Sequence, residues 1–193
     1  MSKSSASTTM LLARQFEALR KQPDSGFSVG LFEEDNYYEW KVLIIGYVQI
    51  RHCALLSWKL TLSHTRPPDT LYEGGFLEAR LSFPPEFPLL PPKMQFITEM
   101  HHPNIYKDGT VCISILHAPG EDQYGYEDAG ERWMPVHTAE SILVSVISLL
   151  SSDTPNLDSP ANVDVAKQIR TNPAAYKKEV RRLVRKSAEK AFE

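Results

Sequence analysis

Residues 102–116 read HPNIYKDGTVCISIL, and this stretch decides how the rest of the chain is to be read. Its thiol, Cys112, follows an Asp-Gly turn signal and opens onto an apolar run. Cys112 is one of only two cysteines, so no disulfide framework is available, and neither cysteine belongs to a paired zinc-ligand pattern. A lone thiol is by default a small buried hydrophobe. The alternative is a nucleophile, and no base evident in the sequence stands beside this one.

The flanks indicate an α+β domain. Before the thiol, residues 10–21 place Leu12, Phe16 and Leu19 on one helical face, and Pro23 and Gly26 end that helix. Four runs rich in Val, Ile, Phe and Tyr follow, at 27–32, 38–45, 76–83 and 94–98, separated by turn signals as in an antiparallel meander. Pro84–Pro92 is too proline-dense for either regular structure and reads as a stiff, extended surface segment. After the thiol, Thr138 can cap a largely buried helix carrying Ile142, Leu143, Val146, Ile147 and Leu150. Asn162 can cap a short helix over 163–170. Asn172-Pro173 opens the last helix, with Tyr176, Val180, Leu183 and Val184 turned to the core. The expected fold is a four-stranded antiparallel meander with an N-terminal helix, a central buried helix and C-terminal helices.

Bulk composition narrows the function. A length of 193 residues suits one domain, and the 42% hydrophobic and 23% charged fractions are those of a soluble globular chain. A net charge of −3 argues against a general nucleic-acid binder. Residues 1–9 are Ser/Thr-rich and read as a flexible N-terminus without the apolar stretch of a signal peptide. No apolar run approaches the ~20 residues that cross a bilayer. Cytoplasm or nucleus, where thiols stay reduced, is the expected compartment, with membrane recruitment only through a partner.

Five motifs occur in order: PPDTLYEGG (67–75), FPPEFPLLPPK (83–93), HPN (102–104), GTVCISIL (109–116) and SPANVD (159–164). In that order, with these elements between them, the chain resembles the ubiquitin-conjugating enzymes. It is most similar to the G-type subgroup, which carries an acidic insertion after the cysteine, here HAPGEDQYGYEDAGERW (117–133). The resemblance implies that Cys112 accepts ubiquitin as a thioester from an activating enzyme and yields it to a lysine. A carrier must not hydrolyse its own intermediate, so a strong base beside the thiol would be a liability, whereas a Cys/His protease needs one. By the same resemblance, Asn104 donates to the oxyanion of the attack, His102 holds its loop, Tyr106 shapes the acceptor-lysine pocket, and Ser159 gates access. Glu121, Asp122, Glu127, Asp128 and Glu131 would form an acidic flap near the thiol. Arg14 and Lys21 on the first helix would face the activating enzyme and a RING-type ligase. Leu89 would offer that ligase a hydrophobic grip, with Trp133, Met134, Pro135 and Val136 as a second contact loop. No metal or organic cofactor is implied, because ATP is used upstream. Two alternatives remain: another ubiquitin-like modifier, or a non-catalytic binding module.

One segment departs from the family. Relatives run from the second strand into PPDTLYEGG, whereas here 20 residues, YVQIRHCALLSWKLTLSHTR (47–66), intervene without Asp, Glu, Gly or Pro. They hold Arg51, Lys59 and Arg66, so the remainder carries −3 − 3 = −6. The segment also holds the second cysteine, Cys53. It reads either as an intron retained and translated in frame or as a genuine insertion, and transcript sequencing separates the two. For the intron, Gly46-Tyr47-Val48 can be encoded across a GTATGT donor, Leu60-Thr61 can encode a branch site, and Arg66 can end on AG. For the insertion, SWKLTLS (57–63) has the alternation of an extra strand, and a loop at a strand end tolerates length cheaply.

Overall fold

Alternation of buried and more exposed positions along the strands in the middle of the chain produces a sheet with one buried face. A computed structural model describes residues 3–22, 25–46, 70–120 and 130–192. Strands β1 (Phe27–Leu31), β2 (Glu39–Ile45), β3 (Phe76–Ser82) and β4 (Lys93–Phe96) form one antiparallel sheet in the order β1-β2-β3-β4. Trp40, Val42 and Ile44 of β2, Leu77, Ala79 and Leu81 of β3, and Met94 and Phe96 of β4 point into the core. The opposite face carries Lys41 and Glu78, paired at 2.9 Å.

Four helices complete the α+β domain: α1 (Lys3–Arg20), α2 (Ala139–Ser151), α3 (Val163–Thr171) and α4 (Pro173–Ala191). Thr138 caps α2 in a reciprocal capping box with Ser141, while Asn162 and Asn172 cap α3 and α4 through their side-chain oxygens. Ile142, Leu143, Val146 and Leu150 of α2 are buried, and Leu12, Phe16 and Leu19 of α1 join the same core. Tyr176, Val180, Leu183 and Val184 bury one face of α4, and Ser187 accepts the Phe76 amide across to β3.

Two expectations are corrected. The first helix begins at Lys3 rather than Met10, because Thr8 is buried and its hydroxyl donates to the Phe87 carbonyl at 3.0 Å. The proline-rich segment is a run of turns, not an extended strap. Its backbone closes through Phe87 N–H to Pro84 O and Leu89 N–H to Glu86 O, and Phe87 buries its ring between Phe83 and Trp133. Proline presets the backbone for such turns as readily as for an extended chain, and the buried Phe87 decides between them.

The segment 47–66 lies outside the described residues, but Gly46, from which it departs, does not. Gly46 N–H donates to Gly75 O at 2.8 Å, and Gly74 N–H donates to Gly46 O at 3.0 Å. A Cβ on Gly46 would stand 1.9 Å from the Tyr72 carbonyl, so only glycine fits this junction. The junction closes the β2–β3 connection independently of what lies between. Deleting 47–66 should therefore leave the fold intact and raise stability by about 1 kcal/mol through lower closure entropy. Urea denaturation of the shortened chain checks this, and a large loss of stability would contradict it.

Candidate active site

The site is built on a short pairing that extends the sheet beyond β4. Thr110 bridges to Gln95 and Val111 bridges to Ile105, with the Val111 amide donating to Met94 O at 2.9 Å. The turn between the paired segments closes through Gly109 N–H to Tyr106 O and Tyr106 N–H to Thr110 O, both at 2.9 Å. Gly109 adopts φ +88°, where an added Cβ would also meet Phe96 O at 2.2 Å, so the turn demands glycine. Asp108 caps it by accepting from the Thr110 amide and hydroxyl, and these bonds hold its carboxyl below the usual range.

This turn sets Cys112 beside Asn104, the Cys112 amide donating to the Asn104 carbonyl at 3.0 Å. Asn104 is buried, and its Oδ1 has no hydrogen-bond partner among the described residues. Its own amide donates to His102 Nδ1 at 3.0 Å. His102 is 2% exposed, and burial pushes its pKa down to about 4, so the ring is a neutral acceptor at pH 7. A ring locked this way holds the loop and carries no proton in the neutral range. Asn162 fastens the loop from the other side, its amide donating to Pro103 O at 2.8 Å.

Cys112 is half-buried, with two side chains near its sulfur. Tyr106, 46% exposed, hydrogen-bonds it, and the negative charge that Cys112 develops, with that bond, raises the phenol above its ordinary range. His117 Nε2 also lies 3.5 Å from Sγ. The expectation of a thiol without a neighbouring base is thus corrected. His117 follows a single 3₁₀ turn, Ser114–Leu116, that folds the chain back toward the sulfur, and spacing in the sequence does not reveal such a turn.

Beyond Tyr106 a groove of about 460 Å³ runs between Tyr106–Asp108 and Ala161–Asp164. Lys107 Nζ meets Asp164 Oδ2 there at 2.6 Å, and this hydrogen bond and charge lower the Asp164 carboxyl from its usual range. Ser159 is exposed in the loop leading to that rim. Glu131 is exposed at the end of the acidic insertion, whose Glu121, Asp122, Glu127 and Asp128 fall outside the described residues. The insertion's neck is tied by Trp133 N–H to His117 O at 3.1 Å and by Arg132 Nη1 to Ala118 O at 3.3 Å.

Arg14 and Lys21 are exposed on and just beyond α1. Leu89 is 65% and Val136 76% exposed, with Met134 and Pro135 exposed beside them. Trp133, placed by the sequence either in the contact loop or in the core, is wholly buried: it packs on Phe87, and its indole N–H donates to Pro88 O at 2.8 Å. The indole joins the two loops from below.

Fold and site together are those of a thioester-carrying acyltransferase. A family model described as ubiquitin-conjugating enzyme matches residues 47–184, and the chain belongs to that family, whose members form thioesters and transfer the acyl group. Ubiquitin-conjugating enzyme E2 15 of Schizosaccharomyces pombe is 54% identical over 96% of this chain and 98% of its own length. Human ubiquitin-conjugating enzyme E2 G2 is 44% identical over 91% and 93%. The solved structure of human ubiquitin-conjugating enzyme E2 G1 is 47% identical, with a TM-score of 0.56 over 75% of this chain and 94% of that one. These likenesses to E2 G proteins support the G-type subgroup. Ubiquitin, an activating enzyme and ligases are the partners the family implies in general. No helix among the described residues is long and apolar enough to cross a membrane.

Burial of His102 makes stability depend on pH. The unfolded chain binds a proton at this ring below about pH 6.5 and the folded chain only below about 4, so stability is lost as pH falls through that window. Urea denaturation should show about 2 kcal/mol lost from this ring between pH 7 and pH 5. His102→Asn should flatten that slope, and an unchanged slope would mean another group is responsible.

Proposed function

We propose that Cys112 carries ubiquitin as a thioester and passes it to a lysine that approaches along the groove beside Tyr106. The observation that carries this reading is the half-buried sulfur, reached by Tyr106 and paired through its backbone with Asn104. The acceptor lysine, with an ordinary pKa of about 10.4, must attack as a neutral amine, so the approach has to desolvate it or offer an acceptor. Asn104 stabilises the oxyanion of that attack through its side-chain amide, and its buried Oδ1 has no partner among the described residues. Ser159 gates the approach from the loop before α3. The acidic insertion, Glu131 and the four acids before it, favours a cationic acceptor.

The partner surfaces follow from exposure. Arg14 and Lys21 meet the activating enzyme, and Leu89 with Met134, Pro135 and Val136 forms the grip for a RING-type ligase. Work in the cytoplasm or nucleus, with any membrane recruitment through a partner, fits this assignment.

Thioester formation tests it: activating enzyme, ATP and ubiquitin, followed on a non-reducing gel. The chain should form a reductant-sensitive adduct that Cys112→Ala abolishes. An adduct that persists in that variant, or forms only with another ubiquitin-like modifier, would contradict the reading. Asn104→Ala should still charge but transfer to lysine about 100-fold more slowly. Equal transfer rates would remove Asn104 from the reaction.

A further inference from the structure

His117 belongs to none of the motifs that identify the family, since GTVCISIL stops one residue before it. Its placement is nonetheless set by the fold rather than by solvent. The backbone is held from both sides, the His117 amide donating to Ser114 O at 2.9 Å and its carbonyl accepting from the Trp133 amide at 3.1 Å. Trp133 is in turn fixed by burial and by its indole bond to Pro88 O. The imidazole that results has Nε2 3.5 Å from the Cys112 sulfur, within reach for either arrangement of one proton. In the first, S–H donates to a neutral ring; in the second, the imidazolium N–H donates to a thiolate.

An unassisted thiol is only a few per cent thiolate at pH 7, and it is the thiolate that attacks. Loading by the activating enzyme is such an attack. We propose that His117 is a catalytic residue of the loading step, taking the proton of Cys112 Sγ as the sulfur attacks the incoming ubiquitin thioester. This rests on Cys112 being the carrier residue. The Sγ–H bond breaks and Nε2 gains the proton. The sulfur lone pair forms the new C–S bond, the C–S bond to the activating enzyme's cysteine breaks, and that departing thiolate takes the proton back from the imidazolium. No oxidant, reductant or metal enters. Tyr106, hydrogen-bonded to the sulfur, donates its O–H and steadies the thiolate as it forms.

Thiol reactivity reads this directly and needs no activating enzyme. Iodoacetamide is applied to the full, uncharged chain, and alkylation of Cys112 is followed by peptide mass spectrometry in wild type, His117→Gln and His117→Ala. The expected result at pH 7 is a fall of about tenfold in alkylation rate in both variants, with an equal fall in thioester formation at limiting activating enzyme. An unchanged rate in either folded variant would overturn the proposal. Gln retaining the wild-type rate while Ala loses it would show a packing role and overturn it equally. The wild type gives a second reading that does not depend on how the variants fold. Its alkylation rate should already be close to its plateau at neutral pH, and a single rise near the ordinary thiol range of about 8.5 would contradict the pairing. Among the described residues, the Tyr106 phenol beside the sulfur is held above its ordinary range, and Arg132 is bonded to Ala118 O next to His117. Loss of the ubiquitin assignment would appear separately, as an adduct that survives Cys112→Ala while the alkylation result stands.

Discussion

The close approach of Gly109 to Phe96 governs both halves of this molecule. The Phe96 amide donates to the Gly109 carbonyl at 2.9 Å, while the missing Cβ of Gly109 leaves room for the Phe96 carbonyl. That contact fixes where the returning chain meets β4. Once it is set, the Val111 amide reaches Met94 O and the Cys112 amide reaches Asn104 O, so the thiol is positioned by the sheet's own hydrogen bonding. A one-residue slip here would turn Val111 outward and Cys112 into the core. The placement of Cys112 therefore stands on a register held by one glycine, which explains why an Asp-Gly pair precedes the thiol.

Two long excursions leave this framework, and each is closed at its neck. The connection between β2 and β3 is shut by the Gly46, Gly74 and Gly75 backbone. The acidic insertion is shut by Trp133 on His117 and by Arg132 on Ala118. Closing a loop at its base makes the core indifferent to its length, because the entropy of a longer loop grows only logarithmically. The second neck differs in having a functional side chain on it. His117 is at once the root of the insertion and the neighbour of the sulfur, and through Trp133 and Pro88 it is hydrogen-bonded to the loop that presents Leu89.

The sheet, the helix caps at Thr138, Asn162 and Asn172, and the buried faces of α2 and α4 were legible in the sequence because alternation and capping are local signals. So were His102, Asn104, Tyr106 and Cys112 as one cluster, since they share a single hairpin-like stretch. Three features were not legible, each for a long-range reason. Thr8 extends α1 because its hydroxyl finds Phe87 far along the chain, and no apolar periodicity marks that. Trp133 stood open between the contact loop and the core, and only a deep site beside Phe87, far along the chain, decides for the core. His117 sits five positions past Cys112, a spacing that brings no side chains together in a strand or a regular helix. Only the 3₁₀ turn between them does. The sequence argument that a carrier keeps bases away from its thiol therefore does not separate carrier from hydrolase here; membership of the family does.

The most direct test of the account is a paired substitution at two glycines, Gly109→Ala and Gly30→Ala, read by urea denaturation and by thioester formation. Gly30 lies in β1 with nothing within 4 Å of an added Cβ, so its variant controls for the change itself. The account predicts that Gly109→Ala loses about 2–4 kcal/mol and charges poorly, from left-handed backbone strain and collision with Phe96, while Gly30→Ala stays close to wild type in both. A Gly109→Ala chain as stable and as readily charged as the Gly30 variant would show that the register of Cys112 does not depend on this contact.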